Sequence, residues 1–112
     1  MKLTKKELIA LVLMITNGYE DYPFKRKGRE HAAIRHHHNQ KILAIILEQD
    51  SRLLLSLKLK PEQVEEYLND RGIMPAIGLN KKHWLTIAVN ETEVTQEELK
   101  QMLLESSRLT RK

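Results

Sequence analysis

Cysteine is absent from this 112-residue chain. That excludes a disulfide framework and any thiolate metal site, and it is compatible with a reducing cytosol. No apolar run is long enough to span a membrane. The nearest, Leu8–Ile15, is preceded by Lys5-Lys6-Glu7 and followed by Asn17-Gly18. Those flanks read as helix ends, and no small-residue cleavage site follows, so neither a secretory signal nor a membrane anchor is expected. Aromatic residues make up only 4% of the chain, with a single Trp. There is no Gly-rich phosphate loop, no Ser/His/Asp order of a recognised family and no carboxylate pair of evident purpose. The acids at 62, 65, 66, 97 and 98 look like helix N-termini and solvated faces. The expectation is therefore a non-enzyme without a cofactor. There is also no internal repeat, low-complexity tract or linker. With 41% hydrophobic and 30% charged residues, the composition is that of one globular domain spanning 1–112.

What is present is positive charge, unevenly spread. The net charge is +4. Residues 1–60 carry twelve Lys/Arg against six acids, and residues 61–112 carry seven against nine. Within 25–41, Lys25, Arg26, Lys27, Arg29, Arg35 and Lys41 face a single acid, Glu30. Four of the five histidines, at 31, 36, 37 and 38, lie there too. A localised basic patch attracts phosphate polymers, although a solvated basic loop has the same composition.

Thr4-Lys5-Lys6-Glu7 is a capping box with Leu3 and Leu8 at its staple positions, and it starts a helix whose Leu8, Leu11, Val12 and Ile15 share a face. Asn17-Gly18 ends that helix, with Gly18 suited to the left-handed position. Pro23 holds Tyr22 extended, and 25–28 is a basic loop. Strands are expected over 31–37, 42–47 and 53–59, joined by short polar turns as an antiparallel meander. Pro61-Glu62 opens a second helix, with Val64, Tyr67 and Leu68 as its stripe and Gly72 beyond it. A short extended segment, 73–78, leads to Lys81-Lys82 and a strand over 83–89. A second capping box, Thr95-Gln96-Glu97-Glu98, starts the last helix, whose apolar positions are Leu99, Met102 and Leu103.

The expected order is α-β-β-β-α-β-β-α, a two-layer α+β sandwich on a mostly antiparallel sheet of about five strands. Helices should cover the rows Leu53/Leu55/Leu57/Leu59 and Leu85/Ile87/Val89. If strand parity holds without a bulge, the other face carries Arg35, His37, Ser56, Lys58, Trp84 and Thr86.

Asn80-Lys81-Lys82-His83-Trp84, followed by Thr86, matches an Asn-Lys-x-His-Trp-x-Thr signature and so resembles the MmcQ/YjbR family of small bacterial proteins. Tyr22-Pro23-Phe24, the strand beginning Lys41-Ile42-Leu43-Ala44, and Leu57-Lys58 leading into Pro61-Glu62 fall in the same order as in that family. The chain departs from it at Ser107, where the family often has Tyr, and at 90–93, where it often has Asp-Gly. The resemblance implies a two-layer fold like that of secretion chaperones, no established enzymatic activity, and DNA binding through a double-wing arrangement.

The candidate contacts each have two readings. Lys81, Lys82 and His83 suit phosphate contact or the ordinary lead-in to a strand, and Asn80 suits a turn. Trp84 suits a stacking platform or a core anchor with its indole N–H satisfied. His36, His37 and His38 suit a metal site or, more simply, titratable groups at a strand end, since no Asp, Glu or Cys lies at ligand spacing. The leading expectation is a cytoplasmic DNA-binding module that contacts backbone phosphate through Lys25, Arg26, Lys27, Arg29, Arg35, Lys58, Lys81 and Lys82, with His83 and Trp84 beside them and little sequence specificity. The alternative is a protein-interaction or chaperone-like domain, as a monomer or a homodimer, that uses the open sheet face. The two-sided apolar run 42–47 motivates it.

Overall fold

The computed structural model of the protein describes residues 2–23 and 30–112. The elements are α1 (Lys5–Thr16), β1 (Tyr19–Asp21), β2 (Ala32–Arg35), β3 (Ile42–Gln49), β4 (Arg52–Lys58), α2 (Pro61–Tyr67), β5 (Ile73–Pro75), β6 (Trp84–Ala88) and α3 (Gln96–Leu109). The strands form one antiparallel sheet in the order β1-β2-β3-β4-β6-β5. This is the α+β arrangement that the periodicities predict, with β1 added. Three residues are too few to show alternation. Tyr19–Asp21 is a strand because it pairs with β2, Tyr19 opposite Arg35 and Asp21 opposite Ala33.

Both capping boxes form. The Thr4 hydroxyl accepts from the Glu7 amide at 3.1 Å, and the Glu7 carboxylate accepts from the Thr4 amide at 2.9 Å. Thr95 and Glu98 repeat the arrangement, both at 3.1–3.2 Å. Pro61 stands at the start of α2, where its missing N–H costs nothing. The end of α1 differs from expectation. Asn17, not Gly18, takes the left-handed conformation, at φ 56°. Gly18 answers a different need: a Cβ there would lie 2.8 Å from both the Arg35 carbonyl oxygen and Ile34 Cγ2. The β3–β4 hairpin turns on Asp50 and Ser51, both at positive φ, between the paired Gln49 and Arg52. Two left-handed residues in a two-residue loop match the right-handed twist of the strands they join.

The helices cover one sheet face. Leu8 and Val12 of α1, Val64 of α2, and Leu99, Met102 and Leu103 of α3 form one core with the rows Leu53/Leu55/Leu57/Leu59 and Leu85/Ile87/Val89. On the opposite face Leu54 and Ala88 join Ile45 and Leu47 in a second cluster. Parity fails at one point. Ile34 pairs with Ala44, but Arg35 pairs with Ile42. Leu43 is therefore an extra residue, a bulge that sends both Leu43 and Ala44 to the helix side. Beyond the bulge, Ile42 returns to the open face opposite Arg35.

The strand expected over 31–37 is shorter and ends at Arg35. His37 is not on a sheet face. It lies exposed in the turn after β2, its ring centroid 5.0 Å from that of Tyr19. Among the described residues, no helix is long and apolar enough to cross a membrane.

Candidate functional site

Trp84 opens β6, and Asn80 puts it there. The Asn80 main-chain oxygen accepts from the amides of His83 at 3.2 Å and Trp84 at 2.9 Å. The Asn80 side-chain oxygen accepts from the Lys82 amide at 2.9 Å. Asn80 is thus a turn former, its side chain closing the bend that its backbone begins. Lys81 and Lys82 stand exposed on that bend. The His83 carbonyl accepts from the Leu59 amide at 3.0 Å and extends the β4–β6 pairing.

Trp84 faces Lys58 across the ladder. It is half-buried, neither a fully enclosed core anchor nor a free surface ring. Next along the same face, Ser56 and Thr86 satisfy each other with a buried hydroxyl pair at 2.8 Å. Thr86 Oγ1 also accepts from the Ile77 amide at 3.3 Å, which holds the β5–β6 loop against the sheet. Leu79 of that loop packs on the cluster of Ile45, Leu47, Leu54 and Ala88. Ile45 and Leu47 are consequently only 6% and 4% exposed. The chain itself covers the apolar run that was to need a partner.

Trp84 and Lys58 line a cleft of about 500 Å³ with Arg35, Lys41, Ile42, Leu79, Leu109 and Thr110. Ile42, Leu79, Trp84 and Leu109 give it an apolar share of lining, and three of the lining residues are cations. Their charges are not equally available. Arg35 Nε lies 2.8 Å from Asp21 Oδ2, and the same guanidinium donates to the Gln40 carbonyl at 2.7 Å. Lys41 Nζ donates to the main-chain oxygen of Lys112. Lys58 makes no side-chain hydrogen bond or ion pair with the described residues. No carboxylate lines this cleft among the described residues. A larger cavity, about 720 Å³, has the opposite character: Glu30, Glu48 and Asp50 line it with Lys5 and His31. Phosphate is repelled there.

Two contacts from α3 fix the cleft's walls. Ser106 Oγ donates to the Leu43 carbonyl at 2.6 Å and accepts from the Lys58 amide at 2.9 Å. The β3–β4 pairing stops at Ala44 opposite Leu57, so the hydroxyl bridges the two strands where the bulge parts them. The second contact is a clasp between the β2–β3 turn and the end of α3. His36 Nε2 lies 2.8 Å from Thr110 Oγ1, His38 Nε2 lies 2.6 Å from the Arg111 carbonyl, and Asn39 donates to the Thr110 carbonyl at 3.1 Å. The Thr110 hydroxyl spends its own proton on the Ser106 carbonyl at 2.7 Å. Burial, and then the neighbouring His38, push the His36 pKa below its ordinary value.

The expected residues are thus only partly assembled. Arg35, Lys58 and Trp84 share the cleft. Lys81, Lys82 and His83 form the bend before Trp84 without lining it. Lys25, Arg26, Lys27 and Arg29 lie outside the described residues. Sequence reasoning missed Lys41, Leu79 and Leu109 as lining groups, and it missed Ser106 as a bridge. The Lys58–Trp84 pairing was within reach, since opposed strands of matching parity imply it. The bridge was not, because it depends on the bulge. His36 and His38 are used as hydrogen-bonding groups. Among the described residues, no set of three or more His, Cys, Asp or Glu side chains could hold a metal ion.

Comparison with known proteins adds the following. The model of a family described as YjbR matches residues 14–109. The chain is 26% identical to the uncharacterized protein YyaQ of Bacillus subtilis (strain 168), over 97% of this chain and 99% of that protein. A Pseudomonas syringae crystal structure superposes with a TM-score of 0.87 at 24% identity, covering 97% of this chain and 100% of that one. The Deinococcus radiodurans protein DR2400, with a DUF419 domain, gives a TM-score of 0.72 at 27% identity, covering 93% of this chain and 78% of that one.

Proposed function

The chain belongs to the YjbR family, and from that premise we propose that it binds nucleic acid, contacting backbone phosphate with little sequence specificity. The observation that carries this reading is the convergence of Arg35, Lys41 and Lys58 around a half-buried Trp84, with no carboxylate lining the cleft among the described residues. Cations gathered from three strands or strand ends present a local positive potential to a polyanion. Lys81 and Lys82 extend that potential along the adjoining bend. Lys25, Arg26, Lys27 and Arg29 join the assignment on charge alone. Such contacts position a strand without reading bases, hence the low specificity. The reading is one of binding rather than catalysis, in the cytoplasm, where DNA is accessible.

The test is an anisotropy titration of labelled DNA at 50 and 200 mM salt. If about four of these cations contact phosphate, affinity falls by roughly 10²-fold between the two. Absence of binding at the lower salt refutes the proposal, and binding indifferent to salt removes phosphate as the driving contact. The alternative, a protein-binding or self-associating sheet face, has weaker support because Ile45 and Leu47 are already buried within the chain. A concentration-dependent dimer in light scattering that persists in Lys81/Lys82→Ala, with DNA binding absent, would favour it.

A further inference from the structure

The cleft has a feature that phosphate binding does not require. Backbone contact needs only exposed cations, yet here the cations share one cleft with Ile42, Leu79, Leu109 and the single Trp. A volume of about 500 Å³ falls within the usual range for small-ligand sites. It holds one nucleobase with its sugar; it does not hold a duplex. We propose that the cleft receives one unpaired base of a single-stranded nucleic acid, packed on Trp84, with the adjoining phosphate on Lys58. This rests on the nucleic-acid reading above and deepens it.

The polarity of the cleft supports that orientation. Leu109 and Thr110 lie at the C-terminal end of α3, where helix carbonyls disfavour an anion. Arg35 is already paired with Asp21. Lys58, unpaired among the described residues and directly opposite Trp84, is the cation best placed to take the phosphate. The flat base then falls on the indole and the aliphatic side chains, a pairing indifferent to base identity because every base has a π-face. A duplex offers no such base until one is extruded, at the loss of its stacking and pairing. The site therefore discriminates by strandedness, not by sequence.

Trp84 is the only Trp, so its fluorescence reports on this cleft alone. The full chain is titrated at 50 mM salt with a short thymidine oligonucleotide, an abasic strand of equal length and a duplex of equal length. The expected result is that the oligonucleotide binds about tenfold or more tighter than the abasic strand, the order for one stacked base. The oligonucleotide alone quenches the Trp emission, while the abasic strand binds without quenching. Trp84→Leu should bring oligonucleotide affinity down to that of the abasic strand, and Trp84→Phe should retain part of the difference. Equal affinity for all three probes, with unmoved emission, overturns the stacked base and leaves phosphate binding standing. No binding of any probe overturns both. If Trp84→Leu does not fold, the wild-type titration and Trp84→Phe still decide.

Discussion

Ser106→Ala is expected to be the most damaging single-atom deletion in the protein relative to its size. The hydroxyl serves two main-chain groups at once, the buried Leu43 carbonyl at 2.6 Å and the part-buried Lys58 amide at 2.9 Å. Ser106 itself is fully buried. Removing its oxygen strands one donor and one acceptor, and each orphan costs about 1–3 kcal/mol, so the expected loss is about 2–6 kcal/mol. An unfolding entropy of about 2.1 cal/mol/K per residue over 112 residues makes 1 kcal/mol equivalent to about 4 °C. Differential scanning calorimetry should then show a Tm lower by roughly 8–25 °C. Urea unfolding should show a lower midpoint at unchanged slope. Ser107→Ala is the control, since the Ser107 side chain is buried but makes no hydrogen bond with the described residues. Because Ser106 also holds the Lys58 backbone, its loss should loosen the cleft and weaken nucleic-acid binding at temperatures where the fold persists. If Ser106→Ala lowers stability by less than about 1 kcal/mol, or no more than Ser107→Ala does, the bridge is not the constraint described.

Three further outcomes are expected. Burial pushes the His36 pKa below the free value. The stability it contributes is therefore complete above about pH 6.5 and is lost as pH falls towards the folded-state pKa. His36→Gln should flatten the pH dependence of Tm between pH 7 and 5, and an NMR titration should place the wild-type His36 pKa below the free-imidazole value. Gly72→Ala and Gly78→Ala should separate space from backbone strain. Both glycines have positive φ, but a Cβ at Gly72 would lie 2.7 Å from the Thr92 backbone, whereas nothing lies within 4 Å at Gly78. By equilibrium urea unfolding, Gly78→Ala should cost about 1 kcal/mol and Gly72→Ala clearly more. Lys58→Ala should weaken single-strand binding and reduce the magnitude of the log–log salt slope by about 0.7, while Lys81/Lys82→Ala should reduce it by about 1.4 if both contact phosphate; an unchanged slope removes the residue from the interface.

The parts of the fold legible in the sequence were those with local causes. Thr4–Glu7 and Thr95–Glu98 announce their helices because a capping box is complete within four residues. The rows Leu53/Leu55/Leu57/Leu59 and Leu85/Ile87/Val89 fix which face meets the helices because they alternate with Ser56, Lys58, Trp84 and Thr86, which put polar groups on the other face. What stayed hidden depends on distant partners. β1 exists only through β2. The Leu43 bulge leaves no mark in a run of continuous apolar residues, since a shift of parity among Ile, Leu and Ala changes nothing visible. It is also the reason that Ser106, near the end of the chain, finishes a rung between β3 and β4. At the cleft, the Trp84 turn was readable from Asn80, but the contribution of Leu109 needed α3 to reach back across the sheet. His37 was misplaced because β2 stops at Arg35, where the side chain engages Asp21 and the Gln40 carbonyl.

The bend at Asn80 has one more implication. It is built from the Asn80 carbonyl, the Asn80 amide oxygen and the main-chain N–H groups of Lys82, His83 and Trp84. Neither lysine side chain has any architectural duty there. Positive charge at 81 and 82 can therefore be raised, lowered or reversed as an independent dial, with the scaffold and the indole left where they are.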